Sequence, residues 1–454
     1  MEQALNLIKS SHDKYLDELK VWLAIPSISS DSERKPDMQA CAEHTAELLR
    51  QAGIENVKVN PTAGHPVVTG DWLHNPGKPT VLIYGHFDVQ PVDPLELWEK
   101  DPFEAHIKND RIVARGTADD KGQLYMHIKA LEAIMKTDGK LPVNVKFLCE
   151  GEEEIGSPSL PRFLEDNKGY LSADIAVVSD SGMFAEGMPA ITYGLKGLTY
   201  LEIELTGPNR DLHSGTFGGA VANPAEIIAR LIAQAKDDNG RILIPGFYDR
   251  VVDLSEDERE LIRRVPHDES HYKADLGVDE LWGEAGYSTR EWVGARPTFE
   301  VNGIWGGFTG KGAKTVLPAK ACAKVSSRLV PDQDPEEIME LTEKFFIERA
   351  PKSVKIKITR HHGGRPVVTP LDSPYVKAAE RALQEAFNHE VYYLREGGSI
   401  PIVADFKTIL GLDTLLLGYA LPDARTHSPN ENLHLPTFFT GIDSLVRTWY
   451  YIGK

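Results

Sequence analysis

Continuous apolar runs alternate with helical patterns in the first part of the chain. The runs Thr80–Tyr84, Val143–Cys149 and Ile175–Val178 are short and unbroken, which is typical of strands buried on both faces of a sheet. Apolar residues recur with helical spacing over Pro36–Gly53 and Lys121–Lys136. This order of strands and helices predicts an α/β domain with a largely buried sheet.

Alternation of apolar and polar residues replaces these runs in the middle of the chain. It extends over Thr199–Leu205, Cys322–Val330 and Val354–Thr359, as expected for strands with one buried face. Asn223 and Asp334 are each followed by proline, a pair typical of a helix cap and the first residue inside the helix. We therefore predict a separate α+β domain of ferredoxin-like topology.

These two patterns divide the chain into two domains, with one inserted into the other. We expect a mixed-sheet α/β domain formed by residues 1–194 and 367–454, and an α+β domain formed by residues 195–366. A long polar insertion lies near residues 240–300 of the second domain. A helical pattern over Pro374–Phe387 marks the return to the first domain.

Charge and length limit the classes of protein to which this chain can belong. The 454 residues carry a formal net charge of −18, which is the wrong sign for binding phosphate backbones or anionic lipid. No apolar stretch approaches the ~20 residues that a membrane-spanning helix requires. We therefore expect neither a nucleic-acid partner nor a membrane partner.

The N-terminal residues and the cysteines predict a cytoplasmic location. The chain begins without a basic segment followed by an apolar one, so we expect no secretory signal. Cys41, Cys149 and Cys322 are an odd number of widely spaced cysteines, which suits reduced thiols better than a disulfide framework.

Five clusters of histidine and acidic residues carry the candidate chemistry. Each has an ordinary structural explanation when taken alone, such as a helix cap or a solvated acidic loop. They are Tyr84–Val89, Arg115–Gly122, Glu150–Ser157, Val178–Ser181 and Arg425–Glu431. Together they supply two imidazoles and three or four carboxylates near predicted strand ends, a donor set that suits two divalent metal ions without a thiolate. Three carboxylates and a bridging hydroxide would balance the +4 charge of the two cations.

Five motifs in a fixed order resemble those of the di-metal aminoacylases, carboxypeptidases and dipeptidases. They are His86–Pro91, Asp119–Gly122, Asp211–Gly215, Gly310–Val316 and Arg395–Pro401. The resemblance covers nearly the whole chain and is closest to the carnosinase-like cytosolic nonspecific dipeptidases. Five ordered motifs are far more specific than any one of them.

The resemblance implies a ligand set for two divalent metal ions per subunit, Zn²⁺ or Mn²⁺. It makes Asp119 the bridging carboxylate, His86 and Asp180 the ligands of one metal, and Glu154 and His427 the ligands of the other.

The resemblance also implies that Glu153 is the general base and that Asp88 orients His86. Because Glu152 is acidic as well, the sequence leaves open which adjacent acidic pair supplies the base and the ligand. The following Gly156–Ser157 matches the family frame and favours Glu153.

In this family the inserted domain is a lid and dimerisation domain. The resemblance implies that His213 reaches from the lid of the partner subunit to the active site and stabilises the oxyanion. Arg328 resembles the family residue that binds the substrate carboxylate. Thr315 and Ser399 lie in segments that the family places near the substrate backbone and terminus.

The function implied is hydrolysis of the amide bond of dipeptides by a homodimer. A hydroxide that bridges the metals attacks the carbonyl, and Glu153 acts as general base. An N-acyl-amino-acid deacylase or a metallo-carboxypeptidase with the same site is one alternative. A non-catalytic metal-dependent binding protein is an alternative from a different class.

Overall fold

The computed structural model describes all 454 residues, and the chain forms two compact units. The first unit comprises Met1–Tyr193, Thr369–Leu394 and Pro401–Lys454. The second comprises Gly194–Val368 and Arg395–Ile400. No helix combines the length and the apolar character that crossing a bilayer requires.

Eighteen strands and fifteen α-helices make up the two units. The strands are β1 Glu55–Asn60, β2 Val67–Trp72, β3 Thr80–His86, β4 His106–Lys108, β5 Arg111–Val113, β6 Asn144–Glu150, β7 Ile175–Val178, β8 Ala190–Leu195, β9 Gly197–Thr206, β10 Leu212–His213, β11 Thr298–Gly306, β12 Val316–Leu317, β13 Lys320–Leu329, β14 Lys355–Gly364, β15 Val367–Val368, β16 Tyr392–Glu396, β17 Thr414–Leu416 and β18 Asn432–His434. The α-helices are α1 Glu2–Lys9, α2 His12–Leu23, α3 Lys35–Gln51, α4 Lys121–Asp138, α5 Leu160–Asp166, α6 Lys168–Leu171, α7 Ser214–Phe217, α8 Pro224–Ala233, α9 Glu256–Arg264, α10 Glu269–Leu276, α11 Thr289–Gly294, α12 Pro335–Arg349, α13 Pro374–Phe387, α14 Pro401–Asp405 and α15 Leu435–Ile452.

The first unit is built on a mixed sheet whose strands follow the order β1-β2-β6-β3-β7-β17-β8. Strands β6, β3, β7 and β17 are parallel, whereas β2 and β8 run antiparallel to their neighbours. The parallel strands are buried along their length, as their continuous apolar runs predict. The predicted mixed-sheet α/β class is confirmed.

Helix α4 begins directly after Asp119 and Asp120 and packs against β3 and α15. Its residues are buried from Lys121 to Ile134, so the whole first turn lies in the interior. Gly139 ends the helix in the left-handed conformation with a φ of 71°, which glycine adopts at low cost. The buried start of α4 therefore fixes the position of the acidic pair that precedes it.

The second unit contains the elements β9, α8, β11, β13, α12 and β14, which form a βαββαβ arrangement. Its antiparallel sheet has the order β11-β13-β9-β14, so the predicted ferredoxin-like topology is confirmed. Alternate residues of β9, such as Leu201 and Ile203, pack with Ile228 of α8 and Phe346 of α12 in one core. The side chains of Asn223 and Asp334 cap the two helices.

The predicted polar insertion near residues 240–300 contains more regular structure than its sequence indicates. Helices α9, α10 and α11 lie within it, and its end forms the edge strand β11. A register shift between Val301 and Gly303 interrupts the alternation of β11, and most of its side chains are exposed. An exposed strand with a bulge carries no period-two pattern, so the hydrophobic pattern did not predict β11.

Candidate metal centre

The carboxyl ends of the parallel strands in the first unit gather the predicted site residues. His86 is the last residue of β3, and Asp180 follows β7 by two positions. Glu153 and Glu154 lie in a 3₁₀ turn, Glu153–Ile155, shortly after β6. Because these strands are parallel neighbours, their ends lie at one edge of the sheet, where α/β proteins place their ligand groups.

The five predicted ligands form two groups that share Asp119. In the first group, His86 Nε2 lies 3.0 Å from Asp119 Oδ1 and 3.9 Å from Asp180 Oδ2. In the second, His427 Nε2 lies 2.8 Å from Asp119 Oδ2 and 3.2 Å from Glu154 Oε2. The ligand atoms of each group lie within 4.8 Å of one another. One carboxylate that turns one oxygen to each group has the geometry of a bridging ligand.

The chemistry of this donor set fits two divalent cations. All donors are imidazole nitrogens and carboxylate oxygens, which suit zinc and manganese. Among the protein groups alone, burial raises the pKa of Asp180 to about 7, and the nearby Asp119 adds to this shift. Hydrogen bonds to Asp119 and Glu154 raise the pKa of His427 to about 10. The site therefore concentrates negative charge that bound cations would offset.

Asp88 contacts both the predicted ligand His86 and the turn that carries the predicted ligand Glu154. The residue is fully buried, and its Oδ1 lies 3.3 Å from His86 Nδ1. Its two oxygens also accept hydrogen bonds from the backbone N–H groups of Glu153, at 3.2 Å, and Glu154, at 3.1 Å. The family resemblance implies only the contact with His86. The carboxylate is thus placed to orient the imidazole and the acidic turn together.

Two other acids at the end of β6 and just after it, Glu150 and Glu152, accept hydrogen bonds from other parts of the chain. Glu152 accepts from the backbone N–H of His65 at 2.9 Å and of Ser159 at 3.0 Å. Glu150 accepts from the Tyr84 hydroxyl at 2.6 Å. Both carboxylates are therefore engaged in holding loops and strands.

Glu153 lies beside the two ligand groups but belongs to neither. Burial raises its pKa to about 9, and the carboxylates of Asp180 and Glu154 contribute in the same direction. Without cations these surroundings favour the protonated acid, and bound cations would lower this pKa, so that the carboxylate could exchange a proton.

Gln90 contacts the predicted ligand Glu154, a contact that the sequence motifs do not predict. Its Nε2 donates a hydrogen bond to Glu154 Oε2 at 2.7 Å. The residue lies within the motif His86–Pro91, so its position in that motif is the signal that could have identified it.

Two of the predicted substrate residues lie close together on a two-stranded sheet of the second unit. His213 ends β10, which pairs with β12. Its exposed ring accepts a hydrogen bond at Nδ1 from the backbone N–H of Gly215, at 3.1 Å. The carbonyl of Thr315 accepts from the N–H of Ser214 at 3.0 Å.

The other two substrate residues are hydrogen-bonded to each other in the second unit. Arg328 is half-buried on β13, and its Nη1 donates to Ser399 Oγ at 3.0 Å. The Ser399 hydroxyl in turn donates to the carbonyl of Lys196. Ser399 thereby links the guanidinium of Arg328 to the start of the second unit.

Comparisons with known proteins agree with this fold. Residues 82–451 match the family model of peptidase family M20/M25/M40. The chain is 32% identical to the Cys-Gly metallodipeptidase DUG1 of Candida albicans, over 100% of this chain and 98% of the relative. It is 31% identical to the Beta-Ala-His dipeptidase of Homo sapiens, over 97% of this chain and 90% of the relative.

A solved structure extends the similarity to the arrangement of the backbone. The M20 family metallo-carboxypeptidase Sso-CP2 from Sulfolobus solfataricus matches with a TM-score of 0.84 and 36% identity, over 97% of this chain and 99% of that chain. The fold and the site thus define a metallopeptidase. The chain belongs to peptidase family M20/M25/M40, and the predicted family resemblance is confirmed.

Proposed function

We propose that this protein is a di-metal dipeptidase that hydrolyses the amide bond between two amino acids. The observation that carries the proposal is the shared carboxylate of Asp119, which contacts the ligand histidine of each group through a different oxygen. The dipeptidase names of relatives similar over nearly the whole chain support the substrate class.

Five side chains hold the metals in this proposal. His86 and Asp180 would hold one cation, Glu154 and His427 would hold the other, and Asp119 would contribute to both. Two divalent cations bound there would polarise the scissile carbonyl and lower the pKa of a water molecule.

Glu153 moves the proton in the reaction. Its carboxylate takes a proton from the attacking water and passes it to the nitrogen of the leaving amine. Its position beside the two ligand groups, without being a member of either, supports this role. Asp88 holds the imidazole of His86 and the backbone of Glu153 while this happens.

Residues of the second unit bind the substrate. Arg328 pairs with the substrate carboxylate through its planar guanidinium, and its hydrogen bond to Ser399 supports a fixed orientation. Thr315 and Ser399 contact the substrate backbone and terminus. His213 of one subunit donates to the developing oxyanion in the active site of the other subunit of a homodimer.

The resident metals are zinc or manganese, and the compartment is the cytoplasm. The nitrogen and oxygen donors support these metals. The three cysteines are all free and buried, which supports a reducing compartment.

A carboxypeptidase or an N-acyl-amino-acid deacylase is the second candidate. The similarity to the metallo-carboxypeptidase Sso-CP2 favours it, because the same metal site can serve substrates of different length. A non-catalytic binding protein is less favoured, because metal binding alone does not require the partly buried acid Glu153 beside the ligands.

Metal titration tests the proposal. We expect chelator-stripped protein to be inactive towards the dipeptide Cys-Gly and to regain hydrolysis as Zn²⁺ or Mn²⁺ is added, with two metal ions bound per chain by elemental analysis. Binding of two metal ions without hydrolysis of any peptide or acyl-amino acid would contradict the enzyme assignment.

A further inference from the structure

Glu431 is a fully buried carboxylate that receives four hydrogen bonds. Its Oε2 accepts from Arg115 Nη1 at 2.8 Å and from the backbone N–H of Gly116 at 3.1 Å. Its Oε1 accepts from the N–H groups of Ala118 at 2.8 Å and Asp119 at 3.1 Å. Three of the four donors are thus backbone groups at or just before the shared ligand of the two metal groups.

These bonds fix the backbone of Asp119 and of the residue before it. Two consecutive N–H groups, those of Ala118 and Asp119, converge on one oxygen of Glu431. The carbonyl of Glu431 also accepts from the N–H of Ala114 at 3.1 Å. The segment 114–119 is therefore attached at both ends to a single residue more than three hundred positions away in the chain.

The other side of this attachment is the loop that carries His427. Arg425, His427 and Asn430 all have positive φ, at 57°, 60° and 62°. Non-glycine residues keep this conformation only where their surroundings determine it. The side chain of Asn430 anchors the loop to Leu97 and Glu99, and the adjacent Glu431 anchors it to the segment 114–119.

The charge of Glu431 is balanced by a buried arginine. Arg115 is 1% exposed and also donates to the carbonyl of Pro91 at 2.9 Å. Buried ion pairs of this kind add little net stability compared with well-packed apolar side chains. What an apolar residue cannot supply here is two oxygens that accept four hydrogen bonds at fixed directions, so the arrangement points to positioning of the loops.

We infer that Glu431 is a positioning residue that fixes the loops of Asp119 and His427 relative to each other. In this arrangement Asp119 Oδ2 and His427 Nε2 lie 2.8 Å apart. The inference rests on the proposed function, because it assumes that these two side chains bind metal. Glu431 itself does not bind the metals. It acts through the backbone of Asp119 and through the loop that ends at its own position.

The test is the metal affinity of Glu431→Gln, measured by competition with a chelating indicator using Zn²⁺ and Co²⁺. Whichever way the amide turns, its N–H₂ group faces two of the four N–H donors, so the segment 115–119 has to move. We expect a loss of about 10- to 100-fold in metal affinity, the usual cost of removing a group that orients a ligand. We also expect the visible absorption spectrum of the Co²⁺ form to change.

Glu132→Gln is the matched control. Glu132 is buried to a similar extent on α4, and it pairs with Lys129 and Lys136 rather than with a ligand loop. This variant is expected to unfold at a lower temperature but to keep the parent metal affinity and Co²⁺ spectrum. If Glu431→Gln does not fold, Glu431→Asp takes its place, because it keeps the negative charge but is one methylene too short to reach all four donors.

Three outcomes would be decisive against the inference or its basis. Parent affinity and spectrum in a folded Glu431 variant would overturn the inference. An equal loss of affinity in Glu132→Gln would also overturn it, because the effect would then be general destabilisation. Failure of the parent protein itself to bind metal would instead contradict the proposed function.

Discussion

At the scale of single residues, the roles assigned to Glu153 and Glu154 depend on the register of the acids after β6. In this assignment Glu153 is the general base and Glu154 is a metal ligand. Glu153→Ala is expected to keep both metals and to lower kcat by about 10²- to 10⁴-fold, the usual contribution of a general base. Glu154→Ala is expected to lose one metal, because this carboxylate lies 3.2 Å from His427 in the second ligand group. Elemental analysis and steady-state kinetics measure the two effects separately. The reverse pattern would mean that the assigned register is wrong by one residue.

Lys196 of the second unit is expected to make the stability of the protein depend on pH. It is buried and donates to the carbonyl of Trp292 at 2.7 Å. Burial, together with the charges of Arg328 and Arg296, lowers its pKa from 10.5 to about 7. Below pH 7 both the folded and the unfolded chain hold the proton, so the full cost of burying the ammonium is present.

Between pH 7 and 10.5 the folded chain releases this proton before the unfolded chain does. The unfolded state then binds more protons, and the contribution of Lys196 to stability improves as the pH rises. We therefore expect the free energy of unfolding of Lys196→Met, relative to the parent, to fall by about 1–3 kcal/mol from pH 6 to pH 9.5. Urea unfolding at several pH values measures this difference. A difference that is constant over this range would contradict the assigned charge state.

At the scale of elements, the first turn of α4 positions Asp119, the predicted shared ligand, through close packing. A Cβ at Gly122 would overlap the carbonyl oxygen of Thr117, so Gly122→Ala forces the segment before Asp119 to move. We expect a loss of about 1–3 kcal/mol in stability, as in other overpacked sites, together with weaker metal binding. Thermal unfolding and metal competition report the two effects.

Gly169→Ala in α6 is the control for this substitution. A Cβ at Gly169 meets nothing within 4 Å, so the variant is expected to match the parent in metal affinity and to be as stable or slightly more stable. Parent-like metal binding in Gly122→Ala would show that the first turn of α4 tolerates movement.

The sequence predicted those elements whose burial leaves a regular pattern. The apolar run Ile175–Val178 is β7 residue for residue, and Pro374–Phe387 is α13. Strand β11 was missed because its bulge and its exposed edge position remove the alternation. A periodic pattern of apolar residues arises where one face of an element is buried. An edge strand with little burial therefore lacks this pattern.

For the candidate site, the motifs and the clusters of histidine and acidic residues identified the residues that the structure brings together, but not the contacts that hold them. His86 and Asp119 belong to motifs, and the structure places them 3.0 Å apart. The attachment of Glu431 to the segment before Asp119 depends on tertiary packing of residues distant in the chain. A single sequence carries no signal for a hydrogen bond of that kind.

At the scale of the whole molecule, the homodimer proposal predicts that two inactive variants restore each other. Glu153→Ala lacks the base, and His213→Ala lacks the donor for the oxyanion. If His213 acts in the active site of the other subunit, a mixed dimer contains one site with both groups intact. Mixing the two proteins under conditions of subunit exchange is expected to recover activity, measured as dipeptide hydrolysis over time. No recovery after verified exchange would mean that His213 acts within its own chain or not at all.

The central claim, a metal-dependent dipeptidase, is tested most directly by a substrate panel. Chelator-stripped protein is assayed with dipeptides, tripeptides and N-acetyl-amino acids before and after addition of Zn²⁺ or Mn²⁺. We predict hydrolysis that depends on added metal and is confined to dipeptides. Cleavage mainly of tripeptides or acyl-amino acids would contradict the substrate assignment, and hydrolysis that is unaffected by chelation would contradict the metal mechanism.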